Sequence, residues 1–270
     1  MLQEIYYLRL HAAGCVAEAW LNGIAVSRVD PVHCRLDGRP VHDYLLPARN
    51  IVTLVVSPGA LAAHPFAPAD PYSAAPGLFA TLDLLAGPRG VLPDDPAVRK
   101  LASLVWRPAP GTAVSPPVLL NAEAELPVWL PRWSWLEATP VAPSPELNQL
   151  VFVFVRRLAE GFRAGDPSPY LQFAGTRFRE VAQAFKMKEE ETRANFLRQW
   201  QSVSSRDGFR FSLPDPAQLA VRVMAGGKML DCIDPNFQPI LRAEPLEDGS
   251  TPLLYPLRLS FFGREVRIVR

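Results

Sequence analysis

The chain is poor in the residues that usually announce a chemistry. Its three cysteines, Cys15, Cys34 and Cys232, are too few and too scattered for a disulfide framework, and none forms a Cys-x-x-Cys pair with metal-ligand spacing. Buried free thiols are the plain reading. All four histidines, His11, His33, His42 and His64, lie in the first half, so the second half has no imidazole to serve as a general base or metal ligand. No apolar run approaches the roughly 20 residues that span a bilayer, and MLQEIYYLRL lacks the basic region, unbroken apolar stretch and small-residue cleavage site of a secretory signal. These absences predict a cytoplasmic protein with no membrane partner, although a chain already trimmed of a signal peptide would look the same. The formal charge is only +1, from 28 basic against 27 acidic residues, so no global field draws in nucleic acid. No G-x-S-x-G, P-loop, G-x-G-x-x-G, H-E-x-x-H or EF-hand pattern occurs. Ala225-Gly226-Gly227-Lys228 lacks the phosphate-loop spacing and reads as a hairpin turn. The sequence therefore predicts no cofactor and no bound metal.

What is present divides into two styles. Ser144 to Asp166 carries the strongest helical signal: Ser144 can cap a free backbone amide, Pro145 has no amide to orphan, and Glu146 complements the positive end of the helix dipole. Leu147, Leu150, Val151, Phe154, Val155, Leu158, Ala159 and Phe162 recur at helical steps, and Gly165 with Pro167 stops the run. Before it lie short β-rich segments: Glu4 to Leu10, Val16 to Leu21 turning at Asn22-Gly23 into Ile24 to Val29, Asp43 to Leu46, and Ile51 to Val56. Thr81 to Leu85, Leu101 to Trp106, Val118 to Leu120 and Glu125 to Leu130 continue the series. After it, Phe178, Val181, Ala182 and Phe185 predict a second helix, and Phe196, Leu197, Trp200 and Val203 a third. From Phe209 the period switches to two. The expectation is a two-domain chain: residues 1–140 an all-β antiparallel sandwich with Pro-rich loops, and residues 144–270 an α+β domain with three helices packed on an antiparallel meander sheet.

Two resemblances refine this. Ala17-Glu18-Ala19-Trp20-Leu21-Asn22-Gly23, followed by Asp43-Tyr44-Leu45-Leu46-Pro47 and Asn50 to Val56, resembles the galactose-binding-like jelly roll attached to many glycoside hydrolases, which implies a carbohydrate-binding module. The segment after the hairpin, Asp30-Pro31-Val32-His33-Cys34-Arg35, lacks that family's glycine and aromatic residues, so its sugar site does not carry over. Ala164-Gly165-Asp166, the two helices after it and the closing Gly263 to Arg270 resemble the NTF2-like (SnoaL-like, cystatin-like) cone. The strand pair that family places between its second and third helices is missing between Lys186 and Glu189.

Candidate site residues are few. Trp129, Trp133 and Trp135 crowd seven residues and form either an exposed binding patch or a buried interdomain seam. A cone pocket lined by Phe154, Tyr170, Phe196 and Trp200 can bind a small molecule, with Asp231 as its acid or base; Asp234-Pro235-Asn236 reads as a turn. His33 and His42 can converge with Asp30, Cys34 or Asp43 on a metal, but match no standard zinc spacing. Long Pro-rich loops, clustered tryptophan and no catalytic constellation favour a non-catalytic protein that binds another protein, for example a bacterial immunity or antitoxin protein or a secretion-system adaptor. An NTF2-like small-molecule binder or enzyme and a glycan-binding module are the alternatives.

Overall fold

The computed structural model describes residues 4–31, 35–57, 70–126, 130–244 and 253–270. His33, Cys34, His64 and Trp129 lie outside them. The chain divides into two compact units, Met1–Arg132 and Trp133–Arg270. Trp133 and Trp135 thus belong with the second.

The first unit is built from β1 (Glu4–Ala13), β2 (Val16–Leu21), β3 (Ile24–Val29), β4 (Leu36–Pro40), β5 (Ala48–Ser57), β6 (Tyr72–Ser73), β7 (Phe79–Pro88), β8 (Arg99–Trp106), β9 (Ala113–Val114) and β10 (Val118–Leu126). Two four-stranded antiparallel sheets, ordered β4-β1-β7-β8 and β10-β5-β2-β3, contribute alternate side chains to one apolar core. Leu8 and Leu10 of β1 and Leu82 and Leu84 of β7 enter it from one sheet; Leu21, Val52 and Leu54 enter from the other. That alternation follows from the period of two along a strand. Two sequence expectations are corrected here. Asp43 to Leu46 is not a strand, because His42–Tyr44 winds into a 3₁₀ turn. Val118 to Leu120 and Glu125 to Leu130 are not two strands, since one ladder runs unbroken from Val118 opposite Val56 to Leu126 opposite Ala48.

The two asparagines of the jelly-roll-like motifs are one physical device. Asn22 adopts φ +55° in the β2–β3 turn, and its side chain donates to Tyr44 O at 2.9 Å and Asn50 Oδ1 at 2.8 Å. Asn22 Oδ1 accepts from Ile51 N–H at 3.0 Å. Asn50 is completely buried; its Oδ1 also accepts from Leu46 N–H at 2.7 Å, and its Nδ2 donates to Leu46 O at 2.8 Å and Ala48 O at 3.3 Å. A buried corner has no water to satisfy these backbone groups, so the amides do it.

The second unit opens with α1 (Pro145–Arg163), α2 (Ser168–Phe173), α3 (Gly175–Phe185) and α4 (Glu189–Ser204). Ser144 Oγ accepts from Leu147 N–H at 3.1 Å, the cap its sequence predicts. The buried stripe of α1 runs through Leu147, Val151, Val155, Leu158, Ala159 and Phe162; Leu150, expected inside, is 55% exposed because it falls off that stripe. Among the described residues there are four α-helices where periodicity predicts three. The extra one, α2, is six residues long and so too short to show a repeat. Lys186 ends α3 in the left-handed region at φ +50°, and α4 begins three residues later.

The strands that follow are β11 (Ala220–Met224), β12 (Met229–Ile233), β13 (Leu241–Arg242), β14 (Leu254–Tyr255), β15 (Arg258–Phe262) and β16 (Glu265–Ile268). A four-stranded antiparallel sheet has the order β11-β12-β15-β16, with β13 and β14 paired separately. The sequence-expected meander is therefore interrupted. No helix among the described residues is long and apolar enough to cross a membrane.

Candidate functional site

The pocket expected in the second unit is filled by its own rings. Phe162 of α1 sits at the centre, with ring centroids of Tyr170 at 5.5 Å, Trp200 at 4.9 Å, Phe211 at 4.8 Å and Tyr255 at 5.2 Å, and Tyr170 stacks on Phe196 at 5.0 Å. Tyr170 and Trp200 are buried in this cluster, while Phe154 lies beside it against Phe173. Arg177 donates to the Tyr170 hydroxyl. Burial, with a smaller contribution from Tyr170, raises the pKa of the Tyr255 hydroxyl.

Asp231 is not part of that cluster. On β12 the side chains of Leu230 and Cys232 join the apolar core, so the intervening Asp231 projects from the opposite face of the strand. There it is buried and its two oxygens meet Arg222 Nη2 at 2.8 Å and Arg258 Nε at 3.4 Å. Its oxygens are thus engaged by guanidiniums inside a buried site and are not directed into a pocket. Asp234 does build a turn: its Oδ1 accepts from Asn236 N–H at 2.8 Å and Gln238 N–H at 2.9 Å, and its Oδ2 from Arg242 at 2.6 Å.

Of the tryptophan cluster, Trp133 is fully buried under the Arg270 guanidinium, 5.0 Å above its ring, and Trp135 is also buried. Arg270 in turn pairs with buried Glu180 at 2.5 Å, and Glu180 Oε1 accepts from Ser134 N–H at 2.6 Å. These rings are therefore structural in the second unit and offer no open patch. His42 is buried too, and its Nε2 accepts from Tyr6 N–H at 3.3 Å. Among the described residues no group of three or more His, Cys, Asp or Glu side chains is placed to hold a metal. Cys15 and Cys232 are buried free thiols; burial pushes Cys15 up to about 11 and Cys232 well up, so neither is a thiolate at neutral pH.

The side chains left available for recognition lie elsewhere. The outer face of the β4-β1-β7-β8 sheet carries a cross-strand row, Val105 on β8, Thr81 on β7, His11 on β1 and Leu36 on β4, fixed by the register Val105–Thr81, Thr81–His11 and His11–Leu36. Val105 is 61% and Leu36 55% exposed, and His11 is exposed between them. One step along, Phe79 is partly exposed and gripped from two sides: His11 meets it edge to face at 4.8 Å, and the Arg107 guanidinium lies over it at 5.4 Å. The next row inward is electrostatically closed. Asp83 accepts from Ser103 Oγ at 2.7 Å and pairs with Arg9 and Lys100, each at 3.0 Å, while Arg9 also reaches Asp94. Burial alone would raise the Asp83 pKa, but bonds from Ser103, Arg9 and Lys100 outweigh it and leave it below the usual carboxylate range. Sequence reasoning overlooked Phe79, Val105 and Arg107. The signal was the alternation of Leu101 to Trp106, which sends Val105 to the face opposite Leu104 and Trp106.

The second unit also has an open cleft of about 280 Å³ lined by Arg163, Phe209, Arg210, Phe211 and Glu244. It holds neither Asp231 nor any of the residues expected to line a pocket. No protein-family model matches the chain, no curated protein does, and no solved structure does.

Proposed function

We propose that this is a non-catalytic protein-interaction protein that docks through the outer face of the β4-β1-β7-β8 sheet. The observation that carries the reading is the exposed row of Val105, His11 and Leu36 beside the clasped Phe79 ring, on a face where side chains stand at fixed register. Apolar groups in the open, flanked by aromatic and arginine side chains, have the composition of contact surfaces. The ionisable residues of the interior support it as well: Asp231 and Glu180 are spent on buried arginine pairs. A bacterial immunity or antitoxin protein, or an adaptor of a secretion system, is the subclass this role suits. The test is capture of partners from native lysate by the wild-type chain and by Val105→Asp, with circular dichroism to show that the variant folds. A stoichiometric partner retained by the former and lost by the latter supports the reading; the same partner on both, or none on either, overturns it.

A second reading, a small-molecule binder or enzyme of NTF2-like type, draws on the cleft between Arg163 and Glu244. Thermal shifts with small carboxylates and phosphates, absent in Arg210→Gln, would favour it. For the third reading, a glycan-binding module, the same sheet face is the place to look, and a glycan array showing hits lost on Phe79→Ala is the outcome that would favour it.

A further inference from the structure

Arg107 carries the further inference. Among the described residues its guanidinium makes no ion pair, and the contact that positions it is the face of Phe79. An arginine stacked on a ring keeps its edge N–H donors directed outward, and the lost side-chain freedom has already been met within the folded state. His11, against the same ring, adds an imidazole within reach of the same volume. The cations of the neighbouring rows on this face are neutralised: Arg9 and Lys100 share Asp83, and Arg99 pairs with Glu4 at 2.7 Å. The Phe79 end of the face therefore offers Arg107 as an unmatched positive group among the described residues, beside the cross-strand row of Val105, Thr81, His11 and Leu36.

Resting on the docking role proposed above, we infer that the segment seated on this face is an extended, carboxylate-bearing protein strand whose acidic side chain meets Arg107 and whose apolar neighbours lie on Val105 and Leu36. The pattern fits such a strand because every second side chain returns to the same face, so that an acidic residue and apolar residues two positions to either side of it meet the sheet together. Nucleic acid is the less suitable occupant. Its affinity comes from several phosphates neutralised at once, and the neighbouring row supplies no further unpaired cation among the described residues.

The experiment uses the full chain and short fluorescein-labelled peptides that carry Val, Glu and Val at every second position with Ser between them (the Glu-Val peptide), their counterparts with Gln or Lys in place of Glu (the Gln-Val and Lys-Val peptides), and a labelled oligothymidylate. Anisotropy titrations are run at low and moderate salt on wild type, Arg107→Gln and Val105→Asp. The expected result is that the Glu-Val peptide binds about tenfold tighter than the Gln-Val peptide, that the Lys-Val peptide binds weakest, and that Arg107→Gln removes most of the Glu-over-Gln preference. Equal binding of the Glu and Gln peptides, both lost in Val105→Asp, would overturn the acidic occupant while leaving the docking face standing. No binding of the Glu-Val peptide, or tight oligothymidylate binding with a steep salt dependence, would overturn the inference outright.

Discussion

Replacing Asn50 with aspartate alters one atom of the corner that joins the β2–β3 turn to β5. In the wild type Oδ1 receives Leu46 N–H at 2.7 Å and Asn22 Nδ2 at 2.8 Å, while Nδ2 serves Leu46 O at 2.8 Å and Ala48 O at 3.3 Å. A carboxylate of the same shape keeps the two bonds it accepts and strengthens them. It loses both it donates, and sets a negative oxygen against two carbonyls in a site with no solvent exposure. Two stranded acceptors cost about 2–6 kcal/mol, and stronger acceptance by a charged group returns about 1–2, so Asn50→Asp should destabilise the corner by about 3 kcal/mol at pH 7. Protonation turns the offending oxygen into a donor aimed at Leu46 O. The folded-state pKa of the introduced carboxyl is therefore raised above the unfolded value of about 3.9, and the sign follows: relative to wild type, stability is best preserved below that pH and is lost as pH rises through the folded pKa. Peptide-resolved hydrogen exchange over residues 44–56, corrected for intrinsic rates, reads this directly, with Asn50→Ala as the comparison that lacks a titrating group. A deficit for Asn50→Asp that does not change between pH 4 and 8, or no deficit at neutral pH, would refute the reasoning.

Four further outcomes are expected. Asp231→Ala should cost about 3–5 kcal/mol in urea unfolding, because Arg222 and Arg258 are left facing each other in a buried site; full retention of stability would show that the pairs contribute nothing. Phe162→Ala removes the ring that five aromatic neighbours touch and should cost about 3–5 kcal/mol by the same assay, with loss of near-ultraviolet circular dichroism. His42 has its pKa lowered by burial, so its contribution to stability is complete above about pH 6.5 and falls as pH drops through the depressed folded value; His42→Gln should flatten that part of the stability profile. Asp83, whose pKa is also depressed, contributes above about pH 3.9 and loses that contribution below it, so Asp83→Asn should weaken the first unit at neutral pH and narrow its difference from wild type in acid.

The local signals in the chain were the readable ones. Ser144, Pro145 and Gly165 mark the limits of α1 because caps act over one turn, and Asn22-Gly23 marks its hairpin because left-handed backbone at adjacent positions leaves few residue choices. What depends on distant neighbours was not readable. Leu150 and Val151 are equally apolar, and only the sheet and the other helices decide that one is exposed and the other buried. Trp133 looks like a contact residue until Arg270, far along the chain, covers it. Asp231 looks available until β11 and β15 bring an arginine from each side. β4 was missed because Gly38 and Pro40 weaken its strand character, which an edge position tolerates.

In the docking role proposed above, the ion cluster around Asp83 would also limit how large a visitor to this side of the first unit can be. Shielding a charge knot of that kind from water would remove hydration that the protein's own partners only partly replace, so an incoming chain gains by halting before it. On the docking role proposed above, the usable footprint would be a strip crossing the four strands at the Phe79 end, two rows of side chains deep. A strip of that form would accommodate a single peptide laid across the sheet and would leave a broad globular surface resting on its rim.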